Sequence, residues 1–286
     1  MSKTEQLRKL LKEPEILIVP GCYDAMTARL IEKAGFAAAF MSGFAVSASR
    51  LAMPDTGLIT YTEMAEQGRN ICDAVSIPVF GDGDTGYGNA VNVQRTVRGY
   101  ARAGFACIMI EDQVSPKRCG HTRGKQTVDR KEAFSRIQAA VDVRNAGEDI
   151  LIMARTDANA TEGLEEAVFR AKTFAEIGAD ITFLEAPRNE EEMRYYCENV
   201  QGPKMANMVE QGKTPLLRPE RLQEIGYKIV AYPLTLTLAG ICAMEKTLKD
   251  IMTGNQTQEL AEFGHLREII GFPQYYETEQ RYALCA

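Results

Sequence analysis

The sequence predicts a (β/α)8 barrel with an extended helical C-terminus, and three observations carry that expectation. Eight short apolar runs recur along the chain, stretches of helical period separate them, and no compositional break or low-complexity linker divides the 286 residues. Near-continuous apolar strands of this length suit a parallel sheet covered on both faces. Eight strand–helix units of that kind close into one barrel, so a single domain over residues 1–286 is expected, tail included.

In chain order the expected strands are Ile16–Val19, Ala37–Met41, Val79–Phe80, Cys107–Ile110, Leu151–Ala154, Ile181–Leu184, Lys204–Ala206 and Lys228–Ala231. An amphipathic segment precedes the first. Helical patterns lie between them over Ala25–Ala34, Tyr61–Ala74, Val91–Ala103, Arg130–Ala146, Leu164–Ile177, Glu190–Glu198 and Pro219–Ile225. Beyond the last strand come Leu236–Leu248 and Gln258–Ile270, then Tyr275-Tyr276-Glu277. This tail exceeds what one barrel helix requires. Packing on a neighbouring subunit is the expected use, and capping of the barrel's own base is the alternative.

Composition narrows the function classes. A net charge of −6, with no basic tract or aromatic-basic module, gives no general attraction to nucleic acid or anionic membrane. No apolar run is long enough to span a bilayer. The start Met1-Ser2-Lys3-Thr4-Glu5 lacks the apolar core of a secretion signal, and seven cysteines without paired spacing read as reduced thiols, so the cytoplasm is expected. Two histidines, and no Cys-x-x-Cys or His-Glu-x-x-His arrangement, argue against zinc.

Barrel enzymes build their sites from the carboxyl ends of strands and the loops that follow. Here those places carry Ser42-Gly43, the run from Gly81 to Asn89, Glu111-Asp112-Gln113, Arg155-Thr156-Asp157, Glu185, Asn207 and Pro233. Gly81, Gly83 and Gly86 fit the dinucleotide pattern Gly-x-Gly-x-x-Gly. Asp82 and Asp84 would put two anions where a pyrophosphate needs bare N–H donors, and no helix opens directly after Gly86, so that reading is set aside.

Clustered Asp82, Asp84, Glu111 and Glu185 would resist sharing ionisation, a conflict that a divalent cation resolves. All-oxygen ligands favour Mg²⁺ or Mn²⁺. A plain ion pair between Arg155 and Glu111 or Glu185 is the structural alternative. The Arg155 fork suits a substrate carboxylate. Lys117-Arg118-Cys119-Gly120-His121 reads as a mobile loop hung from the fourth strand, and its cations would favour a thiolate on Cys119. Against the carboxylate rim, Cys119 reads better as a proton donor, with the cations serving a dianionic substrate. A hard cation, an arginine and a thiol acid together describe a site for a small 2-hydroxy or 2-oxo acid.

These motifs, with Pro54-Asp55-Thr56-Gly57 and Asn207 followed by Gly212-Lys213-Thr214-Pro215, resemble the isocitrate lyase/phosphoenolpyruvate mutase superfamily over nearly the whole chain. The thiol pentad resembles its lyase branch. The resemblance implies a TIM barrel whose last helix is exchanged between paired subunits of a homotetramer. It implies Asp82 as the direct Mg²⁺ ligand, with Asp84, Asp55 and Glu111 acting through water. Ser42, Gly43 and Arg155 would hold the pyruvyl carboxylate, Cys119 would protonate the departing carbanion, and Glu185 and Asn207 would stand near the breaking bond. Gly120, His121 and Pro233 complete the implied substrate contacts. Asp55, Glu185 and a metal-held hydroxide are the candidate bases. Phe40 stands near where isocitrate-cleaving relatives have tyrosine, which weakens a tyrosine base.

The implied activity is retro-aldol cleavage of a 2-hydroxy dicarboxylate. Oxaloacetate-hydrolysing members carry serine where this chain has Pro233, and methylisocitrate-cleaving members carry arginines where matching puts Leu238 and Leu266. An alkylmalate such as 2,3-dimethylmalate, giving pyruvate and propionate, is therefore the expected substrate. Methylisocitrate cleavage, oxaloacetate hydrolysis and carboxyphosphonoenolpyruvate chemistry follow in that order, and a metabolite-sensing barrel is the non-enzymatic alternative.

Overall fold

Parallel pairing of the apolar runs produces the expected barrel. The computed structural model describes residues 1–120 and 124–283. Its strands are β1 (Leu17–Cys22), β2 (Ala39–Met41), β3 (Val79–Asp82), β4 (Cys107–Glu111), β5 (Leu151–Thr156), β6 (Ile181–Leu184), β7 (Lys204–Asn207) and β8 (Ile229–Tyr232). Each pairs in parallel with the next, and β8 returns to β1 with Leu17 opposite Ile229 and Pro20 opposite Tyr232.

Side-chain alternation divides these strands between two cores. Phe40, Phe80, Cys107, Met109, Leu151, Met153, Ile181, Phe183 and Met205 fill the barrel interior. Ile108, Ile110, Ile152 and Ala154 point the other way and pack beneath the helices. Continuing each inward row by two residues reaches Ser42, Asp82, Glu111, Arg155, Glu185 and Asn207. The same period that packs the core therefore aims the polar residues into one opening.

The chain forms two compact units, Met1–Leu236 and Thr237–Ala286. The strands and the helices between them lie in the first. Two helices of this unit lie outside the expected set, Gly43–Leu51 and Ala158–Thr161. Gly43–Leu51 starts directly at the end of β2 because Ser42 caps it, its hydroxyl accepting from the Ala45 N–H at 3.3 Å. In the second unit the tail adds a helix, Phe272–Ala283, where the sequence pattern showed only a Tyr-Tyr-Glu ending. The long helix Thr235–Thr253 buries none of its side chains, leaving Leu238, Ile241, Met244, Leu248 and Ile251 exposed at helical spacing.

Cys22, Cys72 and Cys107 are buried, and none of the described cysteines is in a disulfide. Burial pushes the Cys72 thiol up to about 12 and raises those of Cys22 and Cys107 as well. These three should resist iodoacetamide at pH near 8 while the half-buried Cys119 reacts, as peptide mass spectrometry would read. Labelling of the three without denaturant would contradict this packing.

Candidate active site

The opening at the carboxyl ends of the strands is a cavity of about 230 Å³. Nine of the residues singled out from the sequence line it: Ser42, Asp55, Asp82, Cys119, Gly120, Arg155, Glu185, Asn207 and Pro233. Asp84 and Glu111 are buried behind that wall, and His121 lies outside the described residues. Gly43 also stands back from the cavity, and its N–H donates to Asp82 Oδ2 at 3.1 Å.

The loop after β3 explains the glycine pattern without a nucleotide. Gly83 N–H donates to Met109 O, and Gly86 N–H donates to Gly83 O, both at 2.9 Å. A Cβ on Gly83 would stand 2.6 Å from that same Met109 oxygen, so the glycine allows the loop to stitch onto β4. The N–H groups of Gly83, Asp84 and Gly86 are thus committed within the protein and are not offered to a pyrophosphate. Asp84 adopts positive φ, as do Tyr87, Ala186 and Gln211 around the rim, a concentration of backbone strain typical of working sites.

Two buried cations organise the carboxylates. Lys117 Nζ stands 2.6 Å from Asp55 Oδ1 and 2.8 Å from Asp84 Oδ1, at ion-pair rather than directed hydrogen-bond geometry. Despite burial, which favours the neutral amine, the surrounding Asp84, Asp55, Asp82 and Glu111 hold Lys117 firmly protonated. Arg155 is the second cation. The β4–β5 register puts Glu111 directly beside it, with Arg155 Nε 3.3 Å from Glu111 Oε2 and Nη2 3.2 Å from Glu185 Oε2. Asp157 grips the side of the guanidinium with Oδ2 accepting from Nε at 2.8 Å and Oδ1 from Nη2 at 3.1 Å. The alternative of an Arg155 pair with Glu111 or Glu185 is thus realised with both at once, and the arginine fork meets the cavity partly committed.

Burial raises the Glu111 carboxyl against the pull of Arg155 and Lys117, and pushes Asp84 up to about 6 against Lys117. Asp157 goes the other way: Arg155 and Lys125 overcome its burial and hold it well below the usual carboxylate range. Glu111 Oε1 is buried with no hydrogen-bond partner among the described residues. Among those residues, no three Asp, Glu, His or Cys side chains converge to form a metal shell by themselves.

Gly120 rests against this charged pair. A Cβ there would fall 2.6 Å from Glu185 Cδ and 2.7 Å from Arg155 Nη2, so only glycine lets the thiol segment lie this close. Cys119 is thereby brought into one cavity with Arg155, Glu185 and Asp82. Sequence reasoning took Lys117 as a cation flanking the thiol and not as a partner of the carboxylates, and it did not single out Lys125. Lys117 and Asp157 stand in the motifs, yet only the fold brings Lys117 to Asp55, 62 positions earlier in the chain.

Fold and site together define a (β/α)8-barrel protein with a carboxylate-rich, thiol-bearing cleft at the carboxyl ends of its strands. A family model described as phosphoenolpyruvate phosphomutase matches residues 7–252, and the chain belongs to this family, the isocitrate lyase/phosphoenolpyruvate mutase superfamily. It is 43% identical over 291 residues to 2,3-dimethylmalate lyase of Eubacterium barkeri, covering 99% of each chain. It is 45% identical over 276 residues to 2-methylisocitrate lyase of Aeropyrum pernix, covering 96% of this chain and 88% of that one. Among solved structures, an oxaloacetate acetylhydrolase in complex with 3,3-difluorooxalacetate matches with a TM-score of 0.95 at 33% identity, covering 99% of this chain and 97% of that one.

Gly120→Ala tests the close approach. The added methyl should displace the thiol segment and lower kcat/KM by about a hundredfold, with the thermal midpoint within a few degrees of the parent. Turnover equal to the parent would show that this contact is dispensable.

Proposed function

We propose that the protein is a carbon–carbon lyase that cleaves an alkyl-substituted 2-hydroxy dicarboxylate, 2,3-dimethylmalate or a close homologue, to pyruvate and propionate or its homologue. The observation that carries this reading is the division of the cavity wall. Its described cations, Lys117 and Arg155, come from the loop after β4 and from β5, whereas Phe44 and Leu234 bring apolar surface from beyond β2 and β8. Alkyl groups fit that surface, and a third carboxylate placed on it would lack a cation, at a cost of several kcal/mol. Likeness to the dimethylmalate lyase supports the same substrate.

The donor set suits magnesium. The buried carboxylates Asp55, Asp82, Asp84, Glu111, Asp157 and Glu185 outnumber the buried cations beside them, Lys117, Lys125 and Arg155. A hard divalent ion offsets the excess, and the orphaned Glu111 Oε1 offers an acceptor to its water. Asp82 would hold it directly, and Asp55, Asp84 and Glu111 through water. Magnesium, when bound, stabilises charge developing on the C2 oxygen as a Lewis acid.

Arg155 binds the carboxylate next to C2, joined by Ser42 at the start of its helix. A rim carboxylate, for which Asp55 and Glu185 both border the cavity, accepts the C2 hydroxyl proton. The C2–O bond becomes a carbonyl as the C2–C3 bond breaks, and its electron pair passes to C3 as the enolate form of the second carboxylate. Cys119 then donates its proton to C3. Apolar walls exclude water from that carbanion, and Pro233 supplies no hydroxyl for a hydrolytic course.

Cleavage of 2-methylisocitrate is the second reading, favoured by the likeness to the Aeropyrum enzyme. We further propose that the exposed apolar stripe of Thr235–Thr253 packs on another copy, in a homotetramer of helix-exchanged dimers. Reduced cysteines among the described residues support a cytoplasmic setting.

Steady-state assays with Mg²⁺ should give a higher kcat/KM for 2,3-dimethylmalate than for 2-methylisocitrate or oxaloacetate, and the reverse order would overturn the substrate assignment. Removing divalent ions with EDTA should abolish turnover, and Mg²⁺ should restore it; activity that survives chelation would exclude this mechanism. Cys119→Ser should lower kcat by about two to four orders of magnitude while pyruvate affinity, read by calorimetry, stays near the parent value.

A further inference from the structure

Asp157 is fully buried and serves two cations from different parts of the chain. Its Oδ1 accepts from Arg155 Nη2 at 3.1 Å and from Lys125 Nζ at 2.8 Å. Lys125 is itself buried, so the two cations share one buried oxygen. Asp157 is rigidly mounted, since its N–H donates to Asp112 Oδ1 at 2.9 Å, and Asp112 Oδ2 accepts from Thr156 Oγ1 at 2.7 Å and Arg170 Nη1 at 3.1 Å. Directly after Lys125 the chain is stitched back to the extension of β4, with Val114 N–H donating to Gln126 O at 2.8 Å and Val128 N–H to Asp112 O at 2.9 Å.

We propose that Lys125 is a positioning residue that acts through Asp157 to set the orientation and free charge of the Arg155 guanidinium, and through it the seat of Gly120 and Cys119. By occupying part of Asp157 Oδ1, Lys125 prevents that carboxylate from neutralising Arg155 outright. Arg155 then keeps charge for an incoming carboxylate, and its Nη2 stays where it meets Glu185 at 3.2 Å and borders the space that a side chain at Gly120 would fill. Without the lysine, Asp157 would draw the guanidinium toward itself and shift the surface on which the thiol segment lies. A lysine that only balances buried charge would do neither.

The proposal deepens the lyase reading, because it takes Arg155 as the grip on the pyruvate carboxylate. Its test is read from pyruvate binding and thiol chemistry, so it does not depend on which diacid is cleaved. In the full-length protein with Mg²⁺, Lys125→Met should weaken pyruvate binding by about tenfold in calorimetry. It should also change the iodoacetamide labelling rate of Cys119, followed by peptide mass spectrometry, and remove the slowing by pyruvate expected in the parent. Lys125→Arg should recover most of both. A Lys125→Met protein with a lowered thermal midpoint but parental pyruvate affinity and Cys119 labelling would reduce Lys125 to a counterion and overturn the proposal. Should that variant fail to fold, Lys125→Gln, which keeps a donor toward Asp157 without the charge, takes its place. Weakened pyruvate affinity in that variant supports the positioning role, and parental affinity refutes it. If pyruvate fails to bind the parent, the lyase reading falls, while the change in Cys119 labelling still decides the role of Lys125.

Discussion

Everything at the carboxyl face depends on the compensation of buried charge around Arg155. Its guanidinium stands within ion-pairing distance of Asp157, Glu111 and Glu185, in a place where solvent contributes little screening. Burying an ion without partners costs several kcal/mol, whereas a buried network with each charge answered is stable and geometrically demanding. Strand parity delivers Arg155 and Glu185 inward, the β4–β5 register sets Glu111 alongside, and Asp157 locks the guanidinium from the side. Lys117 performs the corresponding task for Asp55 and Asp84.

This arrangement accounts for the proposed chemistry of the thiol. Near Asp55, Asp82 and Glu185, a thiolate at Cys119 would add negative charge to a surface already rich in it. A neutral thiol that gives up its proton only as a carbanion forms is the better electrostatic fit. Of the two cations that precede it in sequence, Lys117 is turned into the carboxylates and does not stand free to stabilise a thiolate, and Arg118 is exposed. The Cys119 segment is therefore anchored at its start by the carboxylates proposed to hold magnesium, and beyond its glycines by Lys125 on Asp157.

Much of this could be read before any coordinates. The near-continuous apolar runs and the helical period between them specified the barrel, and the polar residues that follow each run pointed to Ser42, Asp82, Glu111, Arg155, Glu185 and Asn207. The helix Gly43–Leu51 escaped because it follows β2 with no intervening loop, so the short turn signals that normally announce a helix are compressed into Ser42 alone. The partners of Lys117 and Lys125 escaped for a different reason. A lysine in a glycine-rich basic segment looks solvated, and nothing local distinguishes one that will be buried against Asp55 or Asp157 from one that will not.

The sequence by itself determined the apolar runs, the helical period between them, the set of polar residues at the strand ends and the family to which they belong, because those are properties of spacing and residue type along one stretch of chain. Only the tertiary structure decided which charges answer which. The pairing of Asp55 with Lys117, the sharing of one Asp157 oxygen by Arg155 and Lys125, and the seat of Gly120 on Glu185 arise where separate loops meet over the barrel. Their energies depend on burial and on distances of a few ångströms, neither of which is written in the order of the residues.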